Sequence, residues 1–120
     1  MKPETKFWQD VRKIKSEIRW TRLENLSSLG TPDLLGYNNS GVFFTVELKY
    51  TKTNKVTFSP HQIAFHVKHP ENTFILVEDA LSRTPKLYEG KVIRNLVAGG
   101  LKLEPMLQGF SPIKNFLENK

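Results

Sequence analysis

The order of elements legible in the sequence predicts an α/β (α+β) domain, a mixed sheet of about four to five strands flanked by helices. Three observations carry that expectation. Residues 3–16 place Phe7, Val11 and Ile14 at helical spacing, with Trp8 flanking the stripe. Residues 30–49 hold two runs of strand-forming residues on either side of Asn38-Asn39-Ser40-Gly41. Residues 72–78 form a short, nearly continuous apolar run of the kind a sheet buries on both faces. Helix, antiparallel strands, helix, strand is an order that packs helices onto a sheet.

With 120 residues, 38% hydrophobic and 25% charged, the chain is expected to form a single globular domain over 1–120. Its apolar runs are too short to span a membrane, and the first residues lack the apolar segment of a signal peptide. There is no cysteine, which excludes disulfides and thiolate metal sites and suits a cytoplasmic setting. A net charge of +6 and a pI near 9.7 favour an acidic polymer as partner.

The first helix carries Lys6, Arg12 and Lys13 on its other face, open to solvation or to phosphate contact alike. Glu4 near its start complements the helix dipole. Residues 18–26 read as a first strand, with Ile18, Trp20, Leu23 and Leu26 as its apolar content and Arg19 and Arg22 either edging the hairpin site or lying on plain surface. Pro32 then holds the chain extended into the hairpin.

Register decides whether three charged residues of that hairpin meet. A three-residue loop, Asn39-Ser40-Gly41 with Gly41 left-handed, pairs Asn38 with Val42 and therefore Asp33 with Glu47. Lys49, two residues on, points the same way. A two-residue loop would set Asp33 opposite Val46 and turn it to the other face. Two carboxylates and an amine on one face suit metal-assisted phosphodiester hydrolysis: oxygen ligands fit Mg²⁺, which takes one or two protein carboxylates and keeps room for a phosphate oxygen.

Residues 50–57, with Lys52 and Lys55 among threonines and an asparagine, read as a mobile basic loop, in contact with DNA or simply solvated. Ser59-Pro60-His61-Gln62 is a strong helix start, with Ser59 as N-cap, Pro60 at the first position and Gln62 in the capping-box place. His61, His66 and His69 lack the i, i+4 spacing of a two-histidine zinc helix and read as surface residues, partly protonated near DNA. A further strand over 85–88, a helix over 90–98 ended by Gly99-Gly100, and a last helix capped by Ser111 with Pro112 at its first position complete the chain. The apolar stripes of these last helices serve a core or a subunit contact.

Pro32-Asp33, a thirteen-residue gap and Glu47-Leu48-Lys49 resemble the signature of PD-(D/E)XK nucleases. The longer string from Gly30 to Gly36, then Val46 to Lys49, followed by Ser59 to Gln62, is similar to VRR-NUC domains. Small stand-alone phage proteins and archaeal Holliday-junction resolvases share the layout. The resemblance covers residues 4–78, the motif core, and leaves 90–118 as a C-terminal helical extension.

It implies a restriction-endonuclease-like core and a Mg²⁺-dependent endodeoxyribonuclease, with Mn²⁺ as a substitute. DNA would be the partner, junctions and flaps among its structures, and the protein a homodimer in the cytoplasm, that of the host if phage-encoded. Asp33, Glu47 and the Leu48 carbonyl would hold the metal, joined by Glu4, which lies twenty-eight residues ahead of Asp33. Lys49 would position the water, and Gln62 would reach the water or a phosphate. Two other readings compete: a DNA-binding module that turns over nothing, and a structural protein in which Glu47 and Lys49 form a surface salt bridge.

Overall fold

The tight turn at Asn38 sets the geometry of the sheet. Asn38 N donates to the Val42 carbonyl at 3.2 Å and Gly41 N to the Asn38 carbonyl at 3.0 Å, with Gly41 at φ 75°. The Asn38 side chain accepts from Ser40 N and Val42 N, both at 3.0 Å, an Asx turn that ties the loop to its own strand. This is the three-residue loop the sequence predicts. It joins β2 (Leu34–Tyr37) to β3 (Phe43–Thr51) with Tyr37 opposite Phe43 and Leu34 opposite Val46.

The computed structural model describes residues 3–13, 17–23 and 30–120, without the side chains of residues 3–5 and 12–13. Among these residues, six strands form one sheet in sequence order: β1 (Arg19–Arg22), β2, β3, β4 (Thr73–Asp79), β5 (Thr84–Glu89) and β6 (Leu107–Gln108). All neighbours are antiparallel except β3 and β4, which run parallel. A parallel pair needs a crossover, and α2 (Pro60–Lys68) supplies it.

Alternation along the strands separates two cores. On one face, Phe44, Val46, Leu48, Phe74, Leu76 and Leu87 pack with Phe7, Trp8 and Val11 of α1 (Pro3–Lys13) and with Ile113 and Leu117 of α4 (Phe110–Asn119). On the other, Ile75, Val77 and Tyr88 pack with Val56 and with Ile93 and Leu96 of α3 (Ile93–Gly99), and Phe58 and Ile63 close the edge. Ile93 and Leu96 of α3 and Ile113 and Leu117 of α4 thus serve the core, whereas Val97 of α3 is exposed. No helix among the described residues is long and apolar enough to cross a membrane.

Several sequence expectations are corrected. The sheet has six strands rather than four or five, because β6 is two residues long and leaves no periodic signal. The strand expected over 18–26 spans Arg19–Arg22, and 24–29 lie outside the described residues, as do 14–16 of the first helix. Tyr50 and Thr51 belong to β3, and Val56 is buried, so the basic loop is shorter than predicted and anchored: Thr51 Oγ1 donates to the Lys55 carbonyl at 2.7 Å. The helix over 90–98 opens as a 3₁₀ turn, Gly90–Val92. Gly109, not Ser111, caps α4, and Pro112 sits inside the first turn, where its missing N–H costs no helical bond.

Candidate active site

The register of β2 and β3 fixes the site. Continuing the pairing of Leu34 with Val46 by one residue sets Asp33 opposite Glu47, on the face opposite to Leu34 and Val46, and Lys49 follows on that face. Glu47 and Lys49 are flanked on β4 by Ile75 and Val77. Glu47 is 2% exposed, whereas Asp33 and Lys49 are half-buried.

One step further along the same ladder, Pro32 falls opposite Leu48. A proline has no N–H, so the ladder offers the Leu48 carbonyl no donor at that rung. The Leu48 N–H is claimed instead by Asp33, whose Oδ2 accepts it at 2.8 Å. Backbone N–H and C=O of one strand residue point to the same side, so the Leu48 carbonyl lies toward Asp33. The Pro-Asp pair therefore does two things: it ends β2 and it brings a carboxylate beside a carbonyl to which Pro32 gives no ladder donor.

The helix α2 supplies the other wall. Its start matches the predicted capping box: Gln62 N donates to Ser59 Oγ at 3.1 Å, and Ser59 N donates to Gln62 Oε1 at 2.9 Å. The same Oε1 accepts a second bond from Lys49 Nζ at 3.1 Å. Both partners are donors, which fixes the amide orientation. With its oxygen so committed, Gln62 has its amide N–H groups to offer a phosphate or a water. Lys49 Nζ also lies 4.8 Å from the centre of the Phe58 ring, a cation–π contact that holds the ammonium from a second direction. Gly30 brings the loop before Asp33 against the start of α2, since a Cβ there would stand 2.3 Å from the His61 carbonyl oxygen.

His66, read from the sequence as a surface histidine, is fully buried under this wall. Its Nδ1 lies 2.9 Å from the Gln62 carbonyl, which can only accept, so Nδ1 carries the proton, and Nε2 is buried without a hydrogen-bond partner among the described residues. Burial above all lowers the imidazole below its ordinary 6.5; the bond to Gln62 opposes the shift, and the charges of His69 and Lys49 add to it. His61 and His69 are exposed.

The remaining sequence candidates scatter. Glu4, Arg12 and Lys13 lie on α1, but their side chains are outside the described residues. Lys6 is exposed and acts on Glu78, whose carboxyl is raised first by burial and then by Asp10, with Lys6 opposing. Arg19 falls on the carboxylate face of β1 and Arg22 on the opposite face, so only the first is placed to edge the site. Lys52 and Lys55 are exposed in the loop after β3. Phe58, His66 and the role of Pro32 escaped sequence reasoning. For Phe58 and His66 no local pattern signals the contact, whereas the pairing of Pro32 with Leu48 was implicit in the register.

Among the described residues, no three His, Cys, Asp or Glu side chains gather as a metal-binding group. Asp33 and Glu47 are two, and with the Leu48 carbonyl they make an all-oxygen set. That suits a hard, hydrated divalent cation which retains waters and takes one or two carboxylates, and does not suit a closed structural zinc site. No protein-family model matches the chain, and no curated protein matches it significantly.

Proposed function

We propose that the protein is a divalent-metal-dependent DNA endonuclease of PD-(D/E)XK type, with the VRR-NUC-like motif string as its core. The observation that carries the reading is the facing of Asp33 and Glu47 across the β2–β3 ladder, with the Lys49 ammonium held on the same face by Gln62 and Phe58. Asp33, Glu47 and the Leu48 carbonyl would hold Mg²⁺ or Mn²⁺, with Glu4 as a further proposed ligand. When bound, the cation supplies Lewis acidity at a phosphate oxygen.

The chain's own residues do the rest. Lys49 places positive charge beside the attacked phosphate and orients the attacking water, and charge fixed in advance costs no reorganisation during the reaction. Gln62 steadies Lys49 through its oxygen and turns its N–H groups to phosphate or water. The net charge of +6, to which the exposed Arg19, Lys52 and Lys55 contribute, draws in the nucleic-acid backbone. Lys6, Arg12 and Lys13 on α1 are proposed as further phosphate contacts. A homodimer, where one forms, does not use the stripe residues Ile93, Leu96, Ile113 and Leu117, which are buried within the monomer.

A surface salt bridge between Glu47 and Lys49 does not explain these residues, because Glu47 is buried and Lys49 bonds to Gln62. The test is cleavage of labelled duplex, single strand, flap and four-way junction with Mg²⁺, Mn²⁺ or chelator, beside Asp33→Ala. Metal-dependent cutting that falls to background in Asp33→Ala is the expected result. Tight binding without cutting under any metal would replace the enzyme with a DNA-binding module.

A further inference from the structure

The registers of β1, β2 and β3 align Arg19, Tyr37 and Phe43 on one rung of the sheet. Thr21, Leu35 and Thr45 form the next rung on the same face, and Asp33 and Glu47 the one after. The first rung is unusual for its exposure. Phe43 is 59% exposed, whereas Phe7, Phe44 and Phe74 are at most 4% exposed. Its ring sits 4.5 Å from that of Tyr37, tilted by 49°, so the pair presents one joint aromatic surface with the exposed Arg19 beside it. A core has no use for a phenylalanine in that position.

The geometry points to a stacking platform: Arg19, Tyr37 and Phe43 receive unpaired nucleotides of the substrate next to the site of cleavage. The inference rests on the nuclease reading for the identity of that neighbouring site. Glu47 lies four steps along β3 from Phe43, about 13 Å of extended strand. Stacked nucleotides rise about 3.4 Å each, so a strand entering the carboxylate site lays its bases over the rings about four nucleotides away. Aromatic faces serve bases splayed out of a helix and are of little use to a closed duplex, whose base faces are hidden.

Charge favours a nucleic acid over a second copy of the chain. The only ionic group of the rung is the guanidinium of Arg19, and it can both stack on a base and meet a phosphate. β1 is the edge of the sheet and carries Arg19 and Arg22 in four residues, so pairing two such edges would bring arginine close to arginine.

The test measures anisotropy of a labelled blunt duplex, and of the same duplex bearing a short unpaired arm, with Ca²⁺ in place of Mg²⁺. Phe43→Ala is expected to weaken binding of the armed substrate about tenfold while changing blunt-duplex binding less than about twofold, with Phe43→Trp restoring it. Equal losses on both substrates, or none, would overturn the platform. A changed oligomeric state in Phe43→Ala would overturn it too, assigning the rung to self-association. Parallel Mg²⁺ cleavage by the wild type separates the two claims. Cutting with unaltered arm binding in Phe43→Ala removes the platform and leaves the nuclease. Selective loss of arm binding in a protein that cuts nothing supports the platform and removes the nuclease.

Discussion

The two faces of β3 are built from adjacent residues to opposite ends. Val46 and Leu48 point into the core beneath α1 and α4, whereas Glu47 and Lys49, one position removed, point to the face that α2 partly covers. The first face is uniformly apolar and gains by burial at about 25 cal/mol per Å² of surface removed from water. The second buries Glu47 to the same depth, 2% against 3% exposed for Leu48, where a carboxylate is costly to desolvate. A fold selected for stability alone would put an aliphatic residue there. The sheet thus draws its stability from one face and gives up part of it on the other.

Substitutions on the two faces should therefore have opposite effects on activity and stability. Glu47→Gln keeps the shape and removes the charge. It is expected to lower cleavage on the order of a thousandfold while the melting temperature of the metal-free protein does not fall. Leu87→Ala, on the opposite face and fully buried, is expected to cost about 2–5 kcal/mol in urea unfolding and to leave cleavage intact well below the transition. Loss of stability in the first variant comparable to the second would mean that Glu47 is a structural residue.

Lys49→Ala tests the site face more finely. The ammonium touches only the Gln62 oxygen and the Phe58 ring among the contacts described, and it stands on a strand that its removal leaves intact. Turnover is expected to fall about a hundredfold, with metal affinity by calorimetry unchanged. Unchanged turnover would strip Lys49 of its proposed role.

How much of this was legible beforehand follows the range of the interactions. The turn at Asn38 and Gly41 is a local code, and because strand alternation is rigid, that code carries through to Asp33 facing Glu47. The capping box at Ser59 and Gln62 is equally local. What stayed hidden depends on packing between distant segments. His66 looks polar and surface-like in the sequence, yet the return of β5 into the Gly90 turn buries it. The two-residue β6 exists only because β5 offers it an edge. Phe43 is the reverse case: its β-propensity marks a strand, but only the arrangement of helices leaves it exposed.

The smallest effect concerns pH, and it separates the anchoring of the site face from its chemistry. His66 is neutral in the fold, with its Nδ1 proton on the Gln62 carbonyl and its pKa pushed below 6.5, chiefly by burial. As pH falls below 6.5 the unfolded chain takes up a proton that the folded chain resists, so the stability held above that value drains away toward the lower folded pKa. The slope is bounded at about 1.4 kcal/mol per pH unit for one group. Asp79 acts in a separate, lower window: burial alone would raise it, but bonds from Lys86, Leu81 and Ser82 hold it below 3.8, so its contribution is lost only in stronger acid. Glu78, whose carboxyl burial raises, works in the opposite sense, since the fold takes up its proton more readily as pH falls, so melting between about pH 7.5 and about pH 5.5 is compared between the wild type and a variant that lacks only the histidine. The wild type is expected to lose stability steadily across that range, His66→Phe to show a flatter profile whatever its absolute stability, and substitution of the exposed His61 to leave the slope unchanged. An equally steep profile in His66→Phe would show that the acid sensitivity of the site face arises elsewhere.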